Sequence, residues 1–362
     1  MNTRARLIAY YLPQFHPVPE NDKYWGKGFT EWTNVAKAKP LYKGHYQPHL
    51  PTELGYYDLR VPEVREAQAA LAREYGIEGF CYWHYWFAGK RVLHRPFDEV
   101  LASGKPDFPF SLCWANHPWT ATWVGDTKTV IFEQTYPGLE DFINHFYAML
   151  PAFKDKRYMR VEGNLLFSVF GPKSVTNCRL MTDTWRELAK KEDVGDFHFV
   201  GMGISESQRI EFGMDATTEH SPHTLVSQLP IKLKDKISYR LFGKNYAQML
   251  SKVTGKPRIE KYADIVDVSN QIKYGPNEYP IAFPNWDHSP RSGKRALVIE
   301  DCTPELFGKM IEHDIQQVQD RSFDKRIVFI KAWNEWAEGN YLEPAQKYGR
   351  GYLEQIRKHN VL

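Results

Sequence analysis

Two glutamates near the end of the chain have the type and spacing to do acid–base chemistry. Glu335 and Glu338 follow an apolar run, Ile327–Ile330, whose β-branched residues indicate a buried strand. Trp333 and Trp336 stand on either side of Glu335. Carboxylates move protons and aromatic faces hold pyranose rings, so this mixture predicts a sugar site. A solvated turn would instead expose both indoles without a role.

The two glutamates can take complementary roles if both project into one pocket. Their separation in sequence is compatible with carboxyl groups about 5 to 5.5 Å apart, as in retaining glycosidases. Apolar neighbours such as Trp333 and Trp336 would keep one carboxyl protonated while the other is ionised. We therefore predict that Glu335 and Glu338 are the catalytic residues.

Aromatic and polar residues also follow the other apolar runs of the chain. Any single one of them fits core packing, and Glu31 fits a solvated surface equally well, but as a set they favour a carbohydrate cleft. The predicted substrate-binding residues are Tyr11, Gln14, Trp25, Glu31, Trp32, Tyr82, His84, Trp86, Trp114, Asn116, Trp119, His220, Trp286, Asp287, Trp333, Asn334 and Trp336.

The histidines and cysteines give no metal-binding pattern. His84, His117, His220 and His288 lie in different segments and show no i,i+4 pairing, which favours substrate contacts or structural roles over zinc. The four cysteines have no CxxC spacing and are typical of buried free thiols in a reducing compartment. We predict no metal and no cofactor.

Short apolar runs alternate with amphipathic stretches along the whole chain. Chemistry-bearing residues follow the runs and not the helices, which is the layout of a (β/α)8 TIM barrel with long loops. The chain has neither GxGxxG nor GxxxxGK[ST], so a nucleotide-binding fold is disfavoured. Strands are predicted at 7–12, 77–87, 110–115, 165–170, 197–204, 216–220, 281–284 and 327–330. Helices are predicted at 62–75, 97–101, 139–150 (stopped by Pro151), 180–191 and 304–318.

Two long segments interrupt this regular alternation. Residues 25–49 are too long for a passive connection and predict a folded loop over the site. The stretch 225–274 holds ten Lys or Arg against four acidic residues and marks a basic insertion, 225–275, between strands six and seven. Its interspersed apolar residues fit either a solvated surface or docking on anionic lipid. The whole chain, 1–362, is predicted to be one domain.

Composition excludes several other classes of protein. A net charge of +3 gives no signal for nucleic-acid binding, and no apolar run reaches the about 18 residues that a membrane span needs. The first residues lack the apolar core of a signal peptide. We therefore predict a cytoplasmic protein with peripheral membrane contact through the basic insertion as a minority alternative.

Several long segments resemble one known family. They are YYLPQFHPVPENDKYWGKGFTEWTNVAKAKP from Tyr10, GHYQPHLP from Gly44, GFCYWHYWF from Gly79, LCWAN from Leu112 and WNEWAEGNYLEP from Trp333. Together they resemble the WbsX-type family, a glycoside hydrolase family 99-like domain named as a glycosyltransferase in bacterial surface-polysaccharide clusters. The resemblance extends over nearly the whole chain.

The resemblance implies a (β/α)8 barrel similar to family 99 endo-mannosidases and endo-mannanases. It implies that Glu335 acts as a base on the sugar 2-hydroxyl, giving a 1,2-anhydro intermediate, and that Glu338 protonates the leaving oxygen with retention of configuration. The implied substrate is an α-linked bacterial polysaccharide or its lipid-linked precursor. Related sequences usually carry an acid after WAN, where this chain has His117 and Pro118, so the resemblance gives no substrate contact at these positions.

The family name and the motif differ on the reaction. Transferases that use sugar nucleotides normally have Rossmann-type domains and often a DxD metal site, and this chain shows neither pattern. Glycosidase-type chemistry ending on water or on another sugar is therefore the preferred interpretation. The alternatives are a donor-dependent glycosyltransferase and a non-catalytic glycan-binding barrel.

Overall fold

A computed structural model describes residues 2–120, 130–220, 222–230, 240 and 256–362. Its centre is a ring of short strands that are buried along almost their whole length, because helices cover the outer face of the sheet. In chain order the barrel strands are β1 (Arg6–Tyr11), β2 (Gly79–Phe87), β3 (Phe110–Trp114), β4 (Asn164–Val169), β5 (Phe197–Met202), β6 (Ala216–Thr218), β7 (Glu278–Tyr279 and Ile281–Ala282) and β8 (Ile327–Ile330).

Parallel pairing closes the ring. Consecutive strands pair in parallel from β1 through β6, and β1 also pairs in parallel with β8. The two halves of β7, separated by Pro280, complete the circuit: Glu278 lies opposite Thr217 of β6, and Ile281 lies opposite Phe329 of β8. The predicted (β/α)8 barrel is confirmed.

The helices lie mostly between consecutive barrel strands. They are α1 (Pro19–Trp25), α2 (Glu31–Lys37), α3 (Pro62–Glu74), α4 (Arg95–Ser103), α5 (Leu139–Phe153), α6 (Cys178–Lys191), α7 (Glu206–Glu211), α8 (His223–Gln228), α9 (Tyr262–Ser269), α10 (Ser289–Ser292), α11 (Pro304–Val318) and α12 (Gly351–Asn360). Strands outside the ring are Lys90–Val92, Trp119–Thr120, Val130–Phe132, Arg160–Val161, Arg258–Lys261, Trp286–Asp287, Leu297–Glu300, Asn334–Glu335 and Asn340–Tyr341.

Local sequence signals set some helix boundaries, and packing overrides others. Thr303 caps α11 by accepting from the backbone N–H of Leu306 at 3.4 Å, as its position before Pro304 predicts. Helix α5, in contrast, does not stop at Pro151 but continues to Phe153. The predicted end was wrong because Ala152 and Phe153 are buried in the core, and this packing outweighs the poor helix propensity of proline.

The predicted loop over the site folds into α1 and α2 and is tied to the barrel. The backbone N–H of Glu31 donates to the carbonyl of Gln14 at 2.9 Å, and the indole N–H of Trp32 donates to the carbonyl of Tyr57 at 2.8 Å. These bonds fix the first turn of α2 above the end of β1. The loop therefore has a defined position relative to the barrel mouth.

About half of the basic insertion lies outside the described residues. Residues 231–239 and 241–255, which carry the apolar positions of the lipid-docking hypothesis, are not described, so that hypothesis stays a prediction. In the part of the chain that the structure does describe, no helix has the length and apolarity needed to cross a membrane.

Candidate active site

A cavity of about 340 Å³ lies at the carboxyl ends of the barrel strands. Both predicted catalytic residues, Glu335 and Glu338, line it, together with Gln14, Trp25 and Trp119 from the predicted substrate-binding set. The cavity is also lined by residues outside the predicted set, among them Asn21, Trp83, Tyr85, His117, Arg291 and Lys331.

A tight hairpin after β8 presents the two glutamates. Asn334–Glu335 pairs antiparallel with Asn340–Tyr341, and one turn of 3-10 helix connects them. Gly339 has φ +57°, and a Cβ there would lie 2.8 Å from the backbone nitrogen of Asp287. Only glycine combines this left-handed conformation with so close an approach. The motif's glycine thus lets the hairpin pack directly against the neighbouring loop.

The asparagines of the motif are structural. Asn334 accepts from the backbone N–H of Leu12 at 2.7 Å and donates to the Leu12 carbonyl at 3.1 Å. Asn340 accepts from the backbone N–H of Ala332 at 3.0 Å. Asn334, predicted to bind substrate, instead joins the hairpin to the end of β1.

Glu335 is a buried carboxyl held by an indole. The indole N–H of Trp83, on β2, donates to Glu335 Oε1 at 2.8 Å, and the glutamate is 5% exposed. Burial, with the nearby charge of Glu338, raises the pKa of Glu335 to about 8. Glu335 is therefore protonated at neutral pH.

Glu338 lies beside two cations and a neutral histidine. Arg291 contacts its Oε1, Lys331 Nζ is 3.9 Å from its Oε2, and His288 Nε2 is 3.9 Å from Oε1. Burial opposes ionisation, but Arg291 and Lys331 outweigh it and hold the pKa of Glu338 well below its usual range. The surroundings therefore shift the pKa values of the two carboxyls in opposite directions, up for Glu335 and down for Glu338.

Arg291 connects this charge to a second buried carboxylate. Arg291 follows β7 on the short helix α10, and its other terminal nitrogen contacts Glu31 Oε1 in the first turn of α2. Glu31 is fully buried, which raises its pKa against the opposing effect of Arg291. Glu31 was predicted to bind substrate, but it does not line the cavity; it anchors the arginine that faces Glu338.

Aromatic rings and unpartnered amides form the rest of the cavity wall. Trp25 and Trp119 line it with Tyr85, whose ring contacts Trp119 edge-on at 5.2 Å. Gln14 Nε2 and Asn21 Nδ2 are buried and have no hydrogen-bond partner among the described residues. Buried amides normally have partners, so donors left open beside a cavity are suited to ligand oxygens.

Most of the other predicted aromatic contacts are packed in the interior. Trp336, for example, stacks on Tyr341 with ring centroids 3.8 Å apart and donates to Glu343 at 2.6 Å. The aromatic residues of the predicted substrate-binding set that do not line this cavity are Tyr11, Trp32, Tyr82, Trp86, Trp114, Trp286, Trp333 and Trp336.

Strand geometry explains much of this correction. Successive side chains of a strand point to opposite faces, so only every second residue at the end of β2 reaches the cavity. Trp83 and Tyr85 do so, whereas Tyr82, His84 and Trp86 do not. The residues of this strand that were predicted to bind substrate therefore lie on the side that faces away from the cavity.

The remaining polar residues that were predicted to bind substrate contact other parts of the protein instead. His84 Nε2 lies 2.8 Å from His145 Nε2, and Asn116 donates to the carbonyl of Gly171 at 2.8 Å. Asp287 accepts from His45 and Gln47 beside a separate cavity of about 160 Å³. The ring of His220 packs against Phe170, with centroids 4.5 Å apart.

The described residues give no sign of a resident metal. Within 2–120, 130–220, 222–230 and 256–362, no three His, Cys, Asp or Glu side chains are grouped so as to hold an ion. All four cysteines are buried and free. The side chains that line the cavity supply carboxyl, ammonium, guanidinium, amide, imidazole and phenol groups beside aromatic rings.

The barrel is similar to those of proteins of known structure. A "Glycoside hydrolase-like protein" of known structure matches 99% of this chain and 94% of its own, with a TM-score of 0.56 and 14% identity. The GH99 endo-alpha-mannosidase from Bacteroides thetaiotaomicron matches 98% of this chain and 96% of its own, with a TM-score of 0.54 and 14% identity. These similarities show a shared barrel fold.

A family model and a curated relative identify the family of this chain. The family model described as "Glycosyltransferase WbsX" matches residues 7–356, and the chain belongs to this family. The protein WxcX of Xanthomonas campestris pv. campestris, described as uncharacterized, is 34% identical over 98% of this chain. The match covers 49% of WxcX, so the chain spans about half the length of that relative.

Proposed function

We propose that this protein acts on an α-glycosidic bond, with Glu335 and Glu338 as its proton-transfer pair. The observation that carries the proposal is the placement of one protonated and one ionised carboxyl on the same aromatic-lined cavity. Cleavage needs a proton for the leaving oxygen and a base for the attacking group. A pair that carries one proton at neutral pH supplies both.

The resting charges favour one order of the two roles. Glu335, with its pKa raised to about 8, holds a proton that it can donate, and Glu338 is the available base. The family resemblance implies the opposite order, with Glu335 as the base on the 2-hydroxyl and Glu338 as the acid. Because the two carboxyls interact, a bound sugar can move the proton between them. The proposal concerns the pair and a retaining outcome, and the leaving group experiment in the Discussion determines the order.

The proposed substrate is a bacterial surface polysaccharide or its lipid-linked precursor. The family description and the barrel shared with an endo-alpha-mannosidase support a saccharide. Trp25 and Trp119 would contact sugar faces, while Gln14 and Asn21 would donate to hydroxyls. The acceptor is water or another sugar.

The test is product analysis on α-linked oligosaccharides, with and without an acceptor sugar. NMR of the first-formed anomer should show retention, and Glu335→Gln and Glu338→Gln should each lower turnover by about 10² to 10⁴-fold. An inverted product would reject retention, and near wild-type turnover in either variant would reject the pair.

A donor-dependent glycosyltransferase is the second candidate, favoured by the family description. Calorimetry with sugar nucleotides and polyprenyl-linked sugars, compared with oligosaccharides alone, distinguishes it. Binding and turnover of an activated donor, with none of the oligosaccharide, would replace the hydrolase or transglycosylase proposal.

A further inference from the structure

Glu343 is a buried carboxyl that the proposed reaction does not use. It lies just beyond the catalytic hairpin, is 1% exposed and does not line the active-site cavity. Its Oε1 accepts from Gln68 Nε2 at 2.6 Å. Its Oε2 accepts from the hydroxyl of Tyr57 at 2.8 Å and from the indole N–H of Trp336 at 2.6 Å. Three donors from separate parts of the chain thus converge on one side chain.

The groups around Glu343 require an acceptor. An indole N–H only donates, and the amide of Gln68 presents its nitrogen because its oxygen already accepts from the hydroxyl of Tyr11 at 2.7 Å. Burial raises the pKa of Glu343 to about 7, and the hydrogen bond from Trp336 is the first of those that act against burial. A carboxylate accepts from every donor, whereas a glutamine amide would turn N–H groups toward one of them.

These hydrogen bonds lead to both sequence neighbours of Glu335. Trp336 follows Glu335 and begins the turn of 3-10 helix in the hairpin. Asn334 precedes Glu335 and donates to the hydroxyl of Tyr57 at 3.3 Å, and that hydroxyl donates in turn to Glu343. The backbone that carries the first glutamate of the pair is therefore held on both sides.

The remaining partners of Glu343 belong to the barrel and to the folded loop above it. Gln68 is buried on α3, and Tyr11 ends β1. Tyr57 is tied to α2, because its carbonyl accepts from the indole N–H of Trp32 at 2.8 Å. Glu343 thus connects the hairpin to three elements that define the barrel mouth.

We propose that Glu343 is a positioning residue that holds Glu335 and Glu338 in place by acting through Trp336 and Tyr57. The inference rests on the proposed function and adds to it a residue that touches no substrate. Displacement of reacting groups by about 1 Å costs about 10²-fold in rate. Loss of this link should therefore affect turnover far more than substrate binding.

The indole N–H of Trp83 reports the position of Glu335 without any turnover, because it bonds to that carboxyl from β2 at 2.8 Å. Indole NMR spectra of wild type, Glu343→Gln and Asp314→Asn test the inference. Asp314 is a matched control, since it is another fully buried carboxyl, on α11. Glu343→Gln should displace the Trp83 signal as well as that of Trp336, and Asp314→Asn should displace neither.

A second variant keeps the test decisive if Glu343→Gln does not fold. Tyr57→Phe retains the ring and the carboxylate but removes the hydroxyl that joins Glu343 to Asn334. It should also displace the Trp83 signal. An unmoved Trp83 signal in Glu343→Gln, or in Tyr57→Phe where the first variant does not fold, overturns the inference.

Kinetics separates positioning from a contribution to stability alone. In Glu343→Gln, kcat should fall by about 10²-fold while KM changes little, and Asp314→Asn should keep the wild-type kcat. Trp336→Phe should lower kcat as well. The double variant Glu343→Gln, Trp336→Phe should lose less than the product of the two single losses, because both changes break the same hydrogen bond. An unchanged kcat in Glu343→Gln, or independent losses in the double variant, contradicts the inference.

The two readouts distinguish failure of this inference from failure of the proposed function. If wild type turns over no saccharide but the Trp83 signal moves in Glu343→Gln, the proposed function fails and the positioning of the hairpin stands. If wild type is active and Glu343→Gln leaves both the Trp83 signal and kcat unchanged, the proposed function stands and the positioning role fails.

Discussion

The indole N–H of Trp83 donates to Glu335 Oε1 at 2.8 Å, joining β2 to the hairpin after β8. It is the hydrogen bond that fixes the position of the protonated carboxyl. Trp83→Phe keeps an aromatic ring but removes this donor, and we expect kcat/KM to fall by about tenfold or more. Steady-state kinetics checks this, with Trp185→Phe as a control because that indole bonds to a carbonyl away from the site. Equal losses in the two variants would contradict the assigned role.

The alkaline side of the pH profile should report Glu335. Because its pKa is raised to about 8, the protonated form that can donate is lost as pH rises through about 8. We expect kcat/KM to fall above that pH in wild type. The residual kcat/KM of Glu335→Gln should not fall in this alkaline range. If the same fall persists in the variant, another group is responsible for it.

Leaving group dependence determines the order of roles within the pair. Each Glu→Gln variant should lose about 10² to 10⁴-fold on an oligosaccharide, since proton transfer contributes about that much. An α-glycosyl fluoride needs little protonation of its leaving group, so the variant that lacks the acid should regain activity on it. The resting charges predict recovery of Glu335→Gln; recovery of Glu338→Gln instead would assign the order that the family resemblance implies.

The Arg291 bridge should affect both stability and catalysis. Arg291→Met leaves two buried carboxyls, Glu31 and Glu338, without their cation, and breaking a buried pair of this kind costs about 3 to 5 kcal/mol. It should also raise the pKa of Glu338 and move the acidic limb of activity to higher pH. Urea unfolding and the pH profile measure the two effects. The double variant Glu31→Gln, Arg291→Met should unfold at higher urea than Arg291→Met alone.

Buried histidines should make the fold sensitive to acid. Burial lowers to about 4 the pKa values of His16, His49, His198, His220 and His288, whose side chains are buried or half-buried. The unfolded chain binds these protons from about pH 6.5 downward, so stability is lost as pH falls from about 7 toward 4. Five buried carboxyls with raised pKa values act in the opposite direction: Glu31, Asp141, Asp314, Glu335 and Glu343. They are fewer than the histidines with lowered pKa values, which also include His84 and His145.

Thermal unfolding between pH 7.5 and 5 measures this acid sensitivity. We expect Tm to fall by at least about 10 °C over that interval. Titration of proton uptake on unfolding at pH 5.5 should show several protons bound per molecule. A Tm that is constant across the interval would contradict the buried, neutral state of these histidines.

Hydrophobic runs predicted the barrel strands, and the dense motif after the last strand predicted that Glu335 and Glu338 reach one pocket, because both are local signals. These signals did not predict which side of a strand end faces the cavity: Trp83 and Tyr85 reach it, and Tyr82 and Trp86 do not. That choice depends on the tilt of strands in a closed ring, which pairs residues distant in sequence.

The cations of the site were missed for a related reason. Arg291 stands in a segment of ordinary surface composition, and Lys331 is a single basic residue between an apolar strand and the glutamate motif. Their importance comes from lying beside Glu338 in space. Asn21 was missed as well, since one amide in a polar loop gives no signal until its burial is known. A search for basic residues directly after predicted strands would have found Lys331.

The side chain of Asn334 forms hydrogen bonds with both the backbone N–H and the carbonyl of Leu12, and these bonds join the last strand of the ring to the first. A growing polypeptide can thus build most of the aromatic wall early in its synthesis, yet it has no glutamate pair until the final strand has emerged and docked beside the first. Recovery of turnover during refolding would therefore time the closure of the ring itself, separately from the earlier gain of helix.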